Sequence, residues 1–126
     1  MPIECLEVVK RSNTPHLWAK YHFAKEYITQ NYVKKETELA YLETIKYMNG
    51  FVEVNPLKRS PQDYLEKFIE LISSVKLNGL LASRDRHIKI TPDFKVIDGA
   101  HRLAVGAALN LTTSFYETVP IQSQRY

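Results

Sequence analysis

The residues Asp98, Gly99, His101 and Arg102 stand almost side by side in the stretch "VIDGAHRLAVGAALN", Val96 to Asn110. Their types suit the binding of a phosphorylated ligand. Asp98 can hold a divalent metal or a ligand hydroxyl. Gly99 allows a sharp turn and a close approach without a Cβ clash. His101 can donate to a phosphate oxygen or move a proton near neutral pH. Arg102 offers a planar fork of donors matched to phosphate.

Two elements must position these groups. The β-branched pair Val96-Ile97 predicts a strand running into Asp98, and the residues after Gly99 predict a helix starting at Ala100 and ending near Asn110. The first backbone N–H groups of a helix lack intrahelical partners and carry the positive end of its dipole, so a strand-to-helix turn can receive an anion. Ala104, Gly106, Ala107 and Ala108 let such a helix lie close against its neighbours. The residues alone leave a plainer reading open: Asp98 caps the helix, and His101 and Arg102 are solvated residues of its first turn.

Of the acidic residues Glu4, Glu7 and Glu53, the last stands out because "FVEVNP" sets it between apolar neighbours, where burial can raise a carboxyl pKa. "SRDRH", Ser83 to His87, is a basic segment that could line a phosphate or an acidic substrate, or be simply a solvated loop. His16 and His22, six residues apart on an expected helix, do not share a face as a metal pair would. Cys5, the only cysteine, reads as a small buried hydrophobe.

The remaining elements follow from periodicity and breakers. "CLEVV", Cys5 to Val9, predicts a first strand. Thr14-Pro15 opens a helix carrying Leu17, Trp18, Tyr21, Ala24 and Ile28, with the aromatics Trp18, Tyr21, Phe23 and Tyr27 serving a core or interface. A second helix carries a stripe of Leu39, Leu42, Ile45 and Met48 and stops at Asn49-Gly50. "FVEVNPLKR" is extended. Ser60 and Pro61 begin the most sharply marked helix, whose apolar face holds Tyr64, Leu65, Phe68, Ile69, Ile72 and Val75 and which ends at Asn78-Gly79. "HIKI" (His87 to Ile90), "FKVI" (Phe94 to Ile97) and "TSFYETVPI" predict strands. The result is one mixed α/β domain over residues 1–126, with residues 14–50 as a helical insertion.

"VIDGAHRLAVGAALNL" resembles the signature of the ParB/sulfiredoxin superfamily, in which a strand leads into a D-G-x-H-R or related G-x-x-R element and a helix of small residues. "FIELISSVKLNGL" is similar to the helix and glycine turn upstream of it. The resemblance spans Pro61 to Ile121, and residues 16–56 lie outside it. It implies a ParB/sulfiredoxin-like fold, a small mixed sheet with helices, in which the motif helix receives nucleotide phosphates. Gly99, Ala100, His101 and Arg102 would then hold the phosphates of ATP, ADP or CTP, with Asp98 on Mg²⁺, and Glu53 and His101 as catalytic groups. The resemblance also implies a base for an acceptor hydroxyl among Glu4, Glu7 and Glu53. The nearest version is D-G-H-H-R of free-serine kinases, from which this chain departs at Ala100. D-G-Q-H-R proteins of DNA-modification systems are similarly close. Ala100 stands where sulfiredoxins have their nucleophilic Cys, which speaks against sulfinic-acid reduction. His101-Arg102 replaces the G-E-R-R arrangement of the partitioning proteins.

Composition bounds the function. At 126 residues with 44% hydrophobic residues, one core without disulfides is reasonable. A net charge of +3 and a pI near 8.9 admit an anionic ligand and fall short of a dedicated nucleic-acid binder. There is no signal-peptide pattern and no apolar run long enough for a membrane segment, so a cytoplasmic protein is expected. The expected activity is ATP- or ADP-dependent phosphotransfer to a small hydroxylated metabolite. A non-catalytic nucleotide-sensing or interaction module of a larger protein, and a DNA-associated protein, are the alternatives.

Overall fold

The computed structural model describes residues 3–49, 60–80, 88–113 and 116–120. Its elements are β1 (Ile3–Glu4), α1 (Cys5–Ser12), α2 (Pro15–Gln30), α3 (Lys35–Asn49), α4 (Pro61–Asn78), β2 (Ile88–Ile90), β3 (Val96–Asp98), α5 (Ala100–Ala108), β4 (Thr112–Thr113) and β5 (Tyr116–Thr118). The chain is thus mixed α and β with helix dominant. No helix among the described residues is long and apolar enough to cross a membrane.

The first corrected expectation is "CLEVV". Cys5 to Val9 lies in helix α1, and the strand before it is only Ile3–Glu4. Cys5, Val8 and Val9 are buried at i, i+3 and i+4, while Glu7 and Arg11 pair across the outer face at 2.7 Å. The same apolar run therefore satisfies a helical period as well as a strand one. Asn13, in the left-handed region at φ 49°, closes α1 with its N–H on the Val9 carbonyl.

Thr14 stands at the N-cap of α2 and Pro15 at its first position, as the sequence suggests, but the Thr14 hydroxyl makes no capping bond. Helix α3 follows a short reversal that begins at Asn31 (φ 64°). The Glu26 carboxylate of α2 accepts from the Lys34 N–H and from the Thr37 hydroxyl, the latter at 3.1 Å. An acceptor from the preceding helix thereby serves the start of α3 and fixes the hairpin. The expected α3 stripe holds in part: Ile45 is buried and Leu42 packs against the core, but Leu39 is 52% exposed and the buried Tyr41, outside the expected stripe, joins the core. In α4 the Ser60 hydroxyl accepts from the Asp63 N–H at 3.2 Å, and Gly79, at φ 72°, ends the helix.

The strands of the described residues form two small sheets where a single one was expected. β1 pairs antiparallel with β4, Ile3 opposite Thr113 and Glu4 opposite Thr112. The other sheet has the order β3-β2-β5, antiparallel between β2 and β3 and parallel between β2 and β5. The turn at 91–95 joins β2 to β3. Its Thr91 hydroxyl accepts from the Lys95 N–H at 3.0 Å and donates to the Asp93 carboxylate. Phe94 projects from this turn to the Arg11 guanidinium, which lies 4.7 Å from its ring centre and ties the turn to α1.

Helix α5 is the pivot of the core. Residues 103–108 are all buried. Val105 and Ala108 join Phe23, Ala24, Tyr41, Ile45, Tyr64, Phe68, Ile72 and Val75 in one cluster; Leu103, Ala104 and Ala107 join Cys5, Val8, Val9, Leu17 and Ile90 in a second. A helix covered on both sides can carry only small or apolar residues, which explains its composition. Its C-terminus closes with Asn110 at φ 59°, the Asn110 N–H on Ala107 O at 3.1 Å and the Leu111 N–H on Gly106 O at 2.8 Å. This is the paired-bond ending that a left-handed Asn allows.

Candidate functional site

β3 delivers Asp98 to an edge of its sheet, opposite Lys89 and exposed. The Asp98 Oδ1 accepts from the Gly99 N–H at 2.9 Å, which orients the carboxylate at the mouth of the turn. Gly99 adopts φ 82° and ψ 22°, a left-handed conformation that a side chain disfavours. Asp98 therefore does not cap α5; the N-cap is Gly99, and its carbonyl accepts the first helical bond from Leu103 N at 2.9 Å. The N–H groups of Ala100, His101 and Arg102 open the helix, where no carbonyl of its own helix can reach them.

The side chains of this turn divide. Ala100 packs against the second core cluster. Arg102 is half-buried, and its Nε is closed to solvent without a hydrogen-bond partner among the described residues. His101 engages the helical layer: its Nε2 lies 2.8 Å from the Tyr41 hydroxyl of α3, and its ring stands edge-on to Phe68, 4.9 Å between centres, and to Tyr41 at 5.8 Å. Phe23, Tyr41 and Phe68 are themselves mutually stacked or tilted at 4.9 to 5.1 Å.

The other candidates do not join this group. Glu53 and the segment "FVEVNPLKR", like Ser83 to His87, lie outside the described residues. Glu7 is taken by its surface pair with Arg11, and Glu4 is exposed at the start of α1. His22 stacks with Trp18 and meets Tyr21 edge-on along α2. Among the described residues no three His, Cys, Asp or Glu side chains gather as a metal cage. A lone exposed carboxylate nevertheless suits Mg²⁺ carried by phosphates, which keeps several waters and takes one or two protein ligands.

Two relevant residues escape the sequence reading. Tyr41 is passed over because the expected α3 stripe counts only Leu, Ile and Met; its i, i+4 spacing with Ile45 of that stripe is the available signal. Lys20, only 3% exposed, falls between Leu17 and Phe23-Ala24 on the inner face of α2. Such a position is rare for lysine.

His16, in the first turn of α2, has a buried Nδ1 without a partner among the described residues. Burial, and secondarily the charge of Lys20, lower its pKa from the ordinary 6.5. The folded state thus keeps this imidazole neutral while the unfolded chain takes up a proton below pH 6.5. Stability contributed by neutral His16 is complete above that pH and is lost as the pH falls through it. The His16→Gln variant should therefore lose less Tm than the wild type between about pH 7.5 and about pH 5.5. Equal losses would show that His16 titrates alike in both states.

No protein-family model, no curated protein and no solved structure matches this chain.

Proposed function

We propose that the β3–α5 turn binds the phosphates of a nucleotide and that the chain is a nucleotide-binding domain serving phosphoryl transfer to a small hydroxylated acceptor. The observation that carries this reading is the Arg102 Nε, a donor on a permanently charged group, closed to solvent at a helix N-terminus and unpartnered among the described residues. A buried donor left unsatisfied is unfavourable, and an anion seated on the first turn would satisfy it. Gly99 clears the approach, and the exposed Asp98 at the turn's mouth would hold Mg²⁺ on the phosphates. The metal would neutralise phosphate charge. Glu53 is the proposed base for the acceptor hydroxyl.

Calorimetric titration with ATP, ADP and CTP, each with Mg²⁺, tests the reading on the wild type and Arg102→Ala. Loss of a charged hydrogen bond of about 1.5–3 kcal/mol should weaken binding roughly 10- to 100-fold. Arg102→Lys should recover only part, since an ammonium cannot reproduce the planar fork. Equal affinities for wild type and Arg102→Ala, or no binding of any nucleotide by the wild type, would overturn the assignment.

A further inference from the structure

We infer that Lys89, on β2, is a further binding residue of this site and receives a phosphate of the nucleotide beside Asp98; the inference rests on the phosphate reading above. The register of the sheet sets the two side chains together. Ile90 stands opposite Val96 and Lys89 opposite Asp98, so Ile97 of β3 is one residue more than β2 has to match it. Such a bulge re-aims the residues beside it. In an unbroken strand Asp98 would share the face of Val96, which packs on the second core cluster. With Ile97 inserted and 61% exposed, Asp98 is exposed directly opposite Lys89. Ile88 and Ile90, on either side of Lys89, are buried, so the half-buried Lys89 side chain leaves the sheet on its outer face.

Directly opposite side chains have Cβ atoms about 4.5–5.5 Å apart, near enough for opposite charges to pair. On the other side of Lys89, the parallel strand β5 sets the exposed Glu117 opposite it. Lys89 thus stands between two carboxylates, yet no salt bridge joins it to either among the described residues. The Asp98 carboxylate is turned instead to the Gly99 N–H at 2.9 Å. The ammonium therefore keeps its charge for an anion. A ligand on the first turn of α5 lies next to Asp98 in the chain, and the four-carbon stem of Lys89 is long enough to reach the same mouth from the neighbouring strand. Arg102 and the backbone N–H groups hold the anion from the α5 side, and Lys89 adds a point charge from the sheet side. Glu117 lies two strand spacings from Asp98, about 9–10 Å, too far for the two to share one ion. Its charge opposes an anion at Lys89 and takes no part in holding it.

The test is calorimetric titration of ATP with Mg²⁺ into wild type, Lys89→Met, Lys89→Arg and Glu117→Gln, beside Arg102→Ala, at two salt concentrations and with the Tm of each protein. Lys89→Met keeps the apolar stem and removes the charge; Lys89→Gln replaces it if Met disturbs the sheet. Loss of one charged contact to phosphate should weaken ATP binding roughly tenfold in Lys89→Met. Lys89→Arg, which keeps the cation, should retain most of the affinity. Glu117→Gln should bind as tightly as the wild type or more so. The fall of affinity with salt should be shallower in Lys89→Met than in Glu117→Gln, and the Tm values should stay close to the wild type. An undiminished affinity in Lys89→Met, where Arg102→Ala loses it, overturns the role of Lys89 and leaves the turn as the phosphate site. An equal loss of affinity and of Tm in Lys89→Met and Glu117→Gln overturns it as well, because the charged row then only supports the sheet. A wild type that binds no ATP overturns the phosphate reading and the assignment of Lys89 with it.

Discussion

Truncating Phe68 to Ala should destabilise the fold by about 3–5 kcal/mol, a large part of the roughly 5–15 kcal/mol expected for a domain of this size. The Phe68 ring is fully buried on α4 and touches, among the described residues, the rings of Phe23 at 4.9 Å, Tyr41 at 5.1 Å and His101 at 4.9 Å between centres. Its removal takes away the transfer free energy of the ring, adds a cavity that the surrounding helices cannot close, and forfeits the aromatic contacts, each worth about 0.5–1.5 kcal/mol. Urea unfolding should show a midpoint lower by more than about 1 M at similar slope. Phe68→Leu, which refills most of the volume, should cost less than half as much. Near-equal midpoints for wild type and Phe68→Ala would mean that this aromatic cluster does not anchor the core. Because Phe68 also forms a wall for His101, the Ala variant should broaden the His101 NMR signals under conditions where it remains folded.

The turn from β3 into α5 was legible in the sequence because every local signal there agrees. A β-branched pair leads in, a single Gly permits the left-handed step, and small residues follow with no helix breaker. α4 was legible for the same reason, with Ser60, Pro61 and Gly79 marking both ends. At Cys5 to Val9 the signals did not agree. Five mostly apolar residues fit either period, and the helix prevails because burying Cys5, Val8 and Val9 against α5 leaves Glu7 and Arg11 free to pair outside.

What the sequence could not show was the partner of each first-turn residue. Asp98 through Arg102 can be read from the chain, but the inward turn of His101 depends on Tyr41, sixty positions away, and on Phe68 from a third helix. A periodicity argument weighs Leu over Tyr, so it assigns Leu39 to the core and passes over the residue that reaches the motif. The buried Lys20 escapes for a related reason: polarity alone puts a lysine outside, and only the packing of α2 on α5 and α4 places it within.

The close approach of α1 to α5 yields the other large effect. A Cβ added at Gly106 would lie 2.7 Å from the Cys5 Sγ and 3.4 Å from both the Cys5 Cβ and the Leu80 Cδ1. Cys5 has little room to yield. It is fully buried, it begins α1 directly after β1, and its N–H donates to the Leu111 carbonyl at 3.0 Å. Gly106→Val should therefore destabilise by about 2 kcal/mol or more, since overpacking of about 1–3 kcal/mol from the first methyl group is increased by two further carbons. The relief of replacing a helical glycine offsets only about 0.5 kcal/mol of this for a β-branched residue. Gly106→Ala sets the same first contact against a gain of about 1 kcal/mol, so its net cost should be about 0–2 kcal/mol, less than that of Gly106→Val. Adding Cys5→Ala removes the Sγ in the way, and the double variant should be more stable than the sum of the single changes by about 1 kcal/mol. Strict additivity would show that Cys5 and Gly106 do not press on each other. A Gly106→Val protein as stable as the wild type would show that α5 can draw back from α1, and the Gly99 to Arg102 turn would then lack the rigid seat on which a preformed anion site depends.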